Sequence, residues 1–234
     1  MKNVNSFRRG VFGLALAGIA GVAFMATSSN AMTVALHERN GDEVTVDRSV
    51  DAFSKIRVKG GFELVLTAGK DHSVKLEGYE RDVQRTETYT RGDTLVLDNT
   101  DDHDDDDFNF DGDGVKVIIT MPSLEEFEVL GAVDAELKGI ESETLVLELK
   151  GAGAIEMQGT CGSLDVELKG AGEVDAEDLK CKNVEVDVKG VGEARVYASE
   201  SVDANVSGIG SITVYGEPKK VRQSDSLLSK IRIK

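Results

Sequence analysis

Tryptophan is absent from this sequence, proline and cysteine occur twice each, histidine three times, and aromatic residues make up only 5%. So few rings exclude a wide core filled by aromatic side chains; a narrow core of aliphatic layers suits the composition better. Scarce proline beside 25 glycines points to many tight, regular bends. His37, His72 and His103 are scattered, and there is no Gly-x-Ser-x-Gly elbow, His-Glu-x-x-His helix or phosphate loop. Catalysis therefore has little support, and an enzyme is the weaker expectation. Positive charge is short as well, with 27 Lys and Arg against 43 Asp and Glu. That balance disfavours nucleic acid as a partner, and it disfavours an anionic membrane reached through bulk charge.

Long apolar runs are missing after the first thirty residues. The exception, residues 11–26, follows Lys2, Arg8 and Arg9 and precedes Ser29-Asn30-Ala31. A basic start, a short apolar stretch and a small-residue site describe a secretory signal peptide. The run is shorter than the ~20 apolar residues a spanning helix needs, although an uncleaved anchor is the alternative. Residues 1–31 are expected to be a signal peptide and the mature part to lack a transmembrane segment. Export to the periplasm or the outer cell surface follows. Without those residues the formal charge falls to −19, because three basic residues leave and no acidic one does.

What the chain has in abundance is a repeat. Lys150-Gly151-Ala152-Gly153, Lys169-Gly170-Ala171-Gly172, Lys189-Gly190-Val191-Gly192 and Ser207-Gly208-Ile209-Gly210 place their leading glycines 19, 20 and 18 residues apart, and Gly131 lies 20 residues upstream. Before each corner the aliphatics alternate: Leu145, Leu147 and Leu149, then Leu164, Val166 and Leu168, then Val184, Val186 and Val188, then Val202, Ala204 and Val206. Period-2 alternation marks strands with one buried face. Matched strands at this spacing cannot each bury that face alone, but stacked as rungs they form one ladder. The expectation is an all-β, parallel β-helix, a β-solenoid with rungs of 18–20 residues over residues 50–220. An antiparallel sandwich or barrel is the alternative; it requires no such matched spacing. At ~4.8 Å per rung, five rungs make a rod of only about 25 Å, so residues upstream must extend or cap it. Residues 44–137 carry weaker alternation and read as less regular turns. Residues 32–49 read as a lead-in or cap, and residues 221–234 as a C-terminal cap or tail with Leu227, Leu228, Ile231 and Ile233 covering the last edge.

The combination of Phe53-Ser54-Lys55-Ile56-Arg57-Val58-Lys59-Gly60, Phe62-Glu63-Leu64-Val65-Leu66-Thr67-Ala68-Gly69, Gly92-Asp93-Thr94-Leu95, Ile119-Thr120-Met121-Pro122-Ser123-Leu124, the Gly-x-Gly series and Tyr215-Gly216-Glu217-Pro218 resembles a bacterial family. It is the putative autotransporter adhesin head GIN domain family, an exported domain of unknown function. The resemblance implies a right-handed parallel β-helix and an adhesive role. No translocator barrel, which takes about eight or more ~10-residue spanning strands, is expected after the matched region. The family's closing glycine-rich rung is also missing from residues 221–234.

Three sets of residues are candidate sites. Asp102, Asp104, Asp106, Asp111 and Asp113 belong to the densest acidic run, and their carboxylates repel one another unless a cation or water screens them. Weak Ca²⁺ binding is the candidate, since its oxygen shell accepts several flexible carboxylates; a solvated loop is the plainer reading, and no cofactor is required. Glu128, Glu148, Glu167 and Asp187 fall in one outward column, and Glu136, Glu156 and Asp175 in another. Stacked like charges are unfavourable, and Lys150, Lys169 and Lys189 lie where they can offset the first column. The columns make either a soluble charged face or an ionic strip for a cationic or hydroxyl-rich polymer. Cys161 and Cys181 occupy equivalent rung positions, near 5 Å apart, within disulfide range; a bridge or a reduced stacked pair follows. Tyr79, Tyr89, Tyr197 and Tyr215 form no clear row for stacking on sugars.

The function expected from all this is an exported structural or binding module of the cell envelope, adhesive and calcium-assisted, with a glycan or envelope protein as partner. The alternatives are a periplasmic polysaccharide-processing lyase or glycosidase, and an envelope assembly factor. Oligomeric state does not follow from the pattern.

Overall fold

The computed structural model describes residues 42–100 and 114–234. The strands, in chain order, are β1 (Glu43–Arg48), β2 (Lys55–Lys59), β3 (Gly61–Ala68) and β4 (Ser73–Tyr79). A short helix α1 (Glu80–Arg85) leads to β5 (Glu87–Arg91), β6 (Thr94–Asp98), β7 (Val115–Met121) and β8 (Glu126–Val129). Four long strands follow: β9 (Ala132–Leu149), β10 (Ala152–Leu168), β11 (Ala171–Val188) and β12 (Val191–Val206). The chain closes with β13 (Ile209–Tyr215), β14 (Lys220–Asp225) and β15 (Ser229–Ile233).

Each long strand bends around the core and pairs in parallel with the next, residue on residue. Leu147, Val166, Val186 and Ala204 are register partners in sequence, and all four are fully buried. The repeat is thus a β-solenoid of stacked parallel rungs. Each rung lays one segment before its corner glycine and one after it, giving a pre-glycine sheet and a post-glycine sheet. Their apolar sides meet in one continuous core. Alternation supplies the mechanism: every second residue faces in and buries aliphatic surface, and those between face out and keep charge in water.

Glycine is obligatory at the corner because the rungs touch there through their backbones. A Cβ built on Gly151 would sit 1.6 Å from the carbonyl oxygen of Gly131, and one on Gly170 would sit 1.7 Å from that of Gly151. Any side chain at either position would force the rungs apart.

The upstream half is built differently. β2 and β3 form a rung that pairs on one side with β8 and β9 and on the other with β6 and β7, all in parallel. The earliest rung in the chain therefore lies inside the stack, flanked by later ones. Antiparallel strands then close the outer end: β4 on β7, β1 on β4, and β5 on β6. Helix α1 lies at the same end and buries Val83, whose carbonyl accepts a 2.7 Å hydrogen bond from Arg48. The described part of residues 44–137 is accordingly two kinds of structure, parallel rungs and an antiparallel closure, rather than irregular turns alone. At the far end, β14 pairs with β12 and β15 with β13, both in parallel. The tail extends the ladder instead of covering it, and every residue of β14 is exposed.

Candidate binding face

The outer surface of the pre-glycine sheet carries side chains in register, because identical rungs project equivalent positions at the same height. One column runs Arg57, Glu128, Glu148, Glu167, Asp187, Asn205. Its charges are matched by the corner lysines. Glu128, only 7% exposed, accepts from Arg57 at 2.5 Å and from Lys150 at 2.7 Å. Burial alone would raise its carboxyl; the hydrogen bonds from Lys150 and Arg57 outweigh that and hold it below the ordinary range. Lys150 also reaches Glu148 at 2.6 Å, and bonding to both carboxylates raises its ammonium pKa. Hydrogen bonds from Lys169 and Lys189 bring Glu167 down to about 2. Asn205 donates to Asp187 at 2.8 Å. This column is a zipper, with its acceptors already used.

The neighbouring columns are not. Val146, Asp165, Glu185, Asp203 and Arg222 form one, and Thr144, Ser163, Asn183, Ser201 and Lys220 the next. All of these but Val146 line a shallow groove of about 740 Å³ that runs across the rungs. Asp203 meets Arg222 at 3.5 Å, but among the described residues neither Asp165 nor Glu185 has an ion-pair partner. Asp165 keeps contact with water, yet the groove walls desolvate it and Glu167, Asp187 and Glu148 repel its charge, so its carboxyl is raised. Ser201 donates to Asn183 at 2.6 Å. The groove offers hydroxyl, amide and carboxylate groups repeating at the rung interval.

On the post-glycine sheet Glu136, Glu156, Asp175 and Arg195 are register partners. Arg195 gathers Glu173, Asp175 at 3.2 Å and Glu193 at 3.2 Å, which neutralises that end of the column. Tyr197 and Tyr215 are neighbours across β12 and β13, so two of the four tyrosines do share a column. Lys180 lies 4.3 Å over the first ring and Lys234 5.0 Å over the second. Their 18-residue separation is a rung interval, the signal that could have found them. Both rings carry a cation and are not free faces for a sugar.

Cys161 and Cys181 are register partners across β10 and β11, with Cα atoms 4.4 Å apart, and their sulfurs are joined. Asp102, Asp104, Asp106, Asp111 and Asp113 lie outside the described residues. The stretch between β6 and β7 is described only up to Thr100 and again from Gly114. On its near side Asn99 braces the backbone, accepting from the Gly61 N–H and donating to the Gly61 carbonyl, each at 2.9 Å. Among the described residues no group of three or more His, Cys, Asp or Glu could hold a metal ion. Nor is any helix there long and apolar enough to cross a membrane.

A stack of parallel rungs with polar ladders along its outer faces defines the class, a β-solenoid that presents a repetitive surface. Within that class the chain belongs to the family described as "Putative auto-transporter adhesin, head GIN domain", whose model matches residues 52–218. It is similar to the solved structure of a "putative adhesin" from Bacteroides fragilis. The two are 26% identical with a TM-score of 0.66, over 82% of this chain and 97% of that one. A "putative lipid binding protein" from Parabacteroides distasonis is 20% identical over 83% and 98% of the two chains, TM-score 0.43. A "putative adhesin" from Parabacteroides merdae is 15% identical over 83% and 97%, TM-score 0.44. No curated protein matches the chain.

Proposed function

We propose that the chain is an exported, adhesin-like module of the cell envelope, working in the periplasm or at the outer surface, whose groove binds a hydroxyl-rich polymer such as a glycan. The observation that carries this reading is the set of unpaired acceptors at Asp165 and Glu185, repeated at rung spacing beside Ser163, Asn183 and Ser201. A polymer of regular hydroxyls can donate to several of them at once, so weak contacts add along its length. Export rests on the basic and apolar start of the chain together with the family's adhesin description. The Bacteroides fragilis relative, described as a "putative adhesin", supports the binding role. Calcium assistance is part of the same proposal, through the acidic segment that contains Asp102, Asp104, Asp106, Asp111 and Asp113.

A screen of immobilised envelope glycans, with and without calcium, tests this. Saturable retention is expected, at least tenfold weaker for Asp165→Asn with Glu185→Gln and for Ser201→Ala with Asn183→Ala. Calcium removal should weaken it further. Retention that ignores those substitutions would move the site elsewhere, and release of shortened oligosaccharides would replace binding with catalysis.

A further inference from the structure

The two ends of the stack differ in charge. Residues 216–234 hold six basic residues and two acidic ones, in a chain whose formal charge is −16. In the last half-turns the outward positions become cationic. Below Asp203 in the stack lies Arg222, and below Ser201 lies Lys220. Below Ser211 lies Lys230, and below Thr213 lies Arg232. Arg222 contacts Asp203 and Lys234 contacts Tyr215; Lys220, Lys230 and Arg232 have no ion-pair partner among the described residues.

The same end carries the most exposed large aliphatic groups among the described residues. Along the corner the residue after the leading glycine changes from Ala152 and Ala171 to Val191, 55% exposed, and Ile209, 53% exposed. At the turn between β14 and β15 the ridge ends in Leu228, 71% exposed, and the fully exposed Leu227. Ser229 pairs with Gly210, which puts Leu228 directly over Ile209. Leu227 and Leu228 stand clear of the turn beside the open recess that Ile209 lines with them, and side chains so exposed suit insertion into a soft, disordered medium.

We infer that this C-terminal edge docks on an anionic lipid bilayer, with Leu227, Leu228 and Ile209 entering the headgroup boundary and Lys220, Lys230 and Arg232 meeting the lipid phosphates. The bulk charge does not prevent it. At ordinary ionic strength fields fall off within about 8–10 Å, or about two rungs, so the surface meets the local cations with Asp203 and Asp225 and not the acidic rungs further up the stack. Two copies meeting through this end would face cation to cation, which argues against self-association there. The inference shares Lys220 with the rim of the groove, but Ile209, Leu227, Leu228, Lys230 and Arg232 lie outside it, so the docking does not depend on the glycan reading.

An environment-sensitive dye on Ser226→Cys in the full chain tests it, because the readout is local to the turn; the same dye on Glu63→Cys is the control. Vesicles of phosphatidylcholine containing a third phosphatidylglycerol should shift the emission at position 226 to the blue and leave position 63 unchanged. The apparent affinity should fall at least tenfold in high salt, in Lys220→Glu with Lys230→Glu and Arg232→Glu, and in Leu227→Ser with Leu228→Ser. The conservative set Lys220→Arg, Lys230→Arg, Leu228→Ile should keep it, which separates a lost contact from a frayed β14 and β15. Three results would each overturn the inference. The dye at 226 could stay silent, it could respond equally to pure phosphatidylcholine, or it could respond to soluble polyglutamate, which would make the edge a site for acidic protein.

Discussion

The half of the stack upstream of Gly131 and the half downstream solve one burial problem with different materials. Upstream, the core holds the large side chains Phe62, Phe127, Leu95, Ile119, Met121 and Leu124, all fully buried, and the outer end is closed by antiparallel strands. Downstream, the inward column shrinks from Leu147 to Val166, Val186 and Ala204. Its next register position is Gln223, which is exposed. The core tapers and then opens. Large side chains fill irregular space at one end, while regularity at the other lets small ones suffice, because each is covered by its own counterpart above and below.

The largest test of that contrast is truncation. Phe127→Ala should cost about 4 kcal/mol and Val186→Ala about 2 kcal/mol. Urea unfolding of the two variants measures it, and equal losses would mean that the halves are packed alike. A backbone version comes next. Gly170→Ala forces a Cβ to within 1.7 Å of the Gly151 carbonyl oxygen and should cost about 3 kcal/mol. Gly69, with open space around it and a positive φ of 81°, should cost only about 1 kcal/mol as alanine.

The covalent link lies wholly in the regular half. Replacing Cys161 and Cys181 by alanine opens a 20-residue separation and should lose about 2–3 kcal/mol. Hydrogen exchange should rise in β10 and β11 and stay level in β2 and β3; a uniform rise would show that the halves unfold as one.

Acid titration should give the smallest effect. Glu167 has its pKa lowered from 4.5 to about 2, so its contribution is complete above about pH 4.5 and lost as the pH falls through 2. Partial exposure and water screening keep it to roughly 1 kcal/mol or less. Glu128 shifts in the same direction. Asp165 shifts upward, so its ionisation opposes folding and its protonation partly offsets the loss. In Glu167→Gln the acid limb of a thermal-melt profile should flatten between pH 4.5 and 2; an unchanged limb would assign acid sensitivity to other carboxylates.

Much of the regular half was legible from spacing. Leu147, Val166, Val186 and Ala204 could be aligned by counting from their glycines, and the outward column of Glu148, Glu167 and Asp187 followed from the same count. The lysine zipper was readable too, since Lys150 and Lys189 sit two positions along the same outward side. The groove was not. Ser163, Asn183 and Ser201 share no residue type, so nothing in their chemistry marks them as a column until register is known. Tyr197 and Tyr215 are a rung interval apart, but Tyr79 and Tyr89 are not, so residue type alone did not mark the column. The antiparallel closure by β1, β4 and β5 was hidden for another reason: alternation reports which face is buried and not which way a neighbour runs.

By itself the sequence determined the rung. A glycine where backbones must touch and alternating aliphatics on either side are local properties, repeated until only stacking can satisfy them. Tertiary structure alone decided the order of the stack, with β2 and β3 enclosed between later rungs, and the bare, cationic C-terminal edge. Those features depend on which strand meets which across many residues of chain, and hydrogen-bonding edges carry no sequence label of their own.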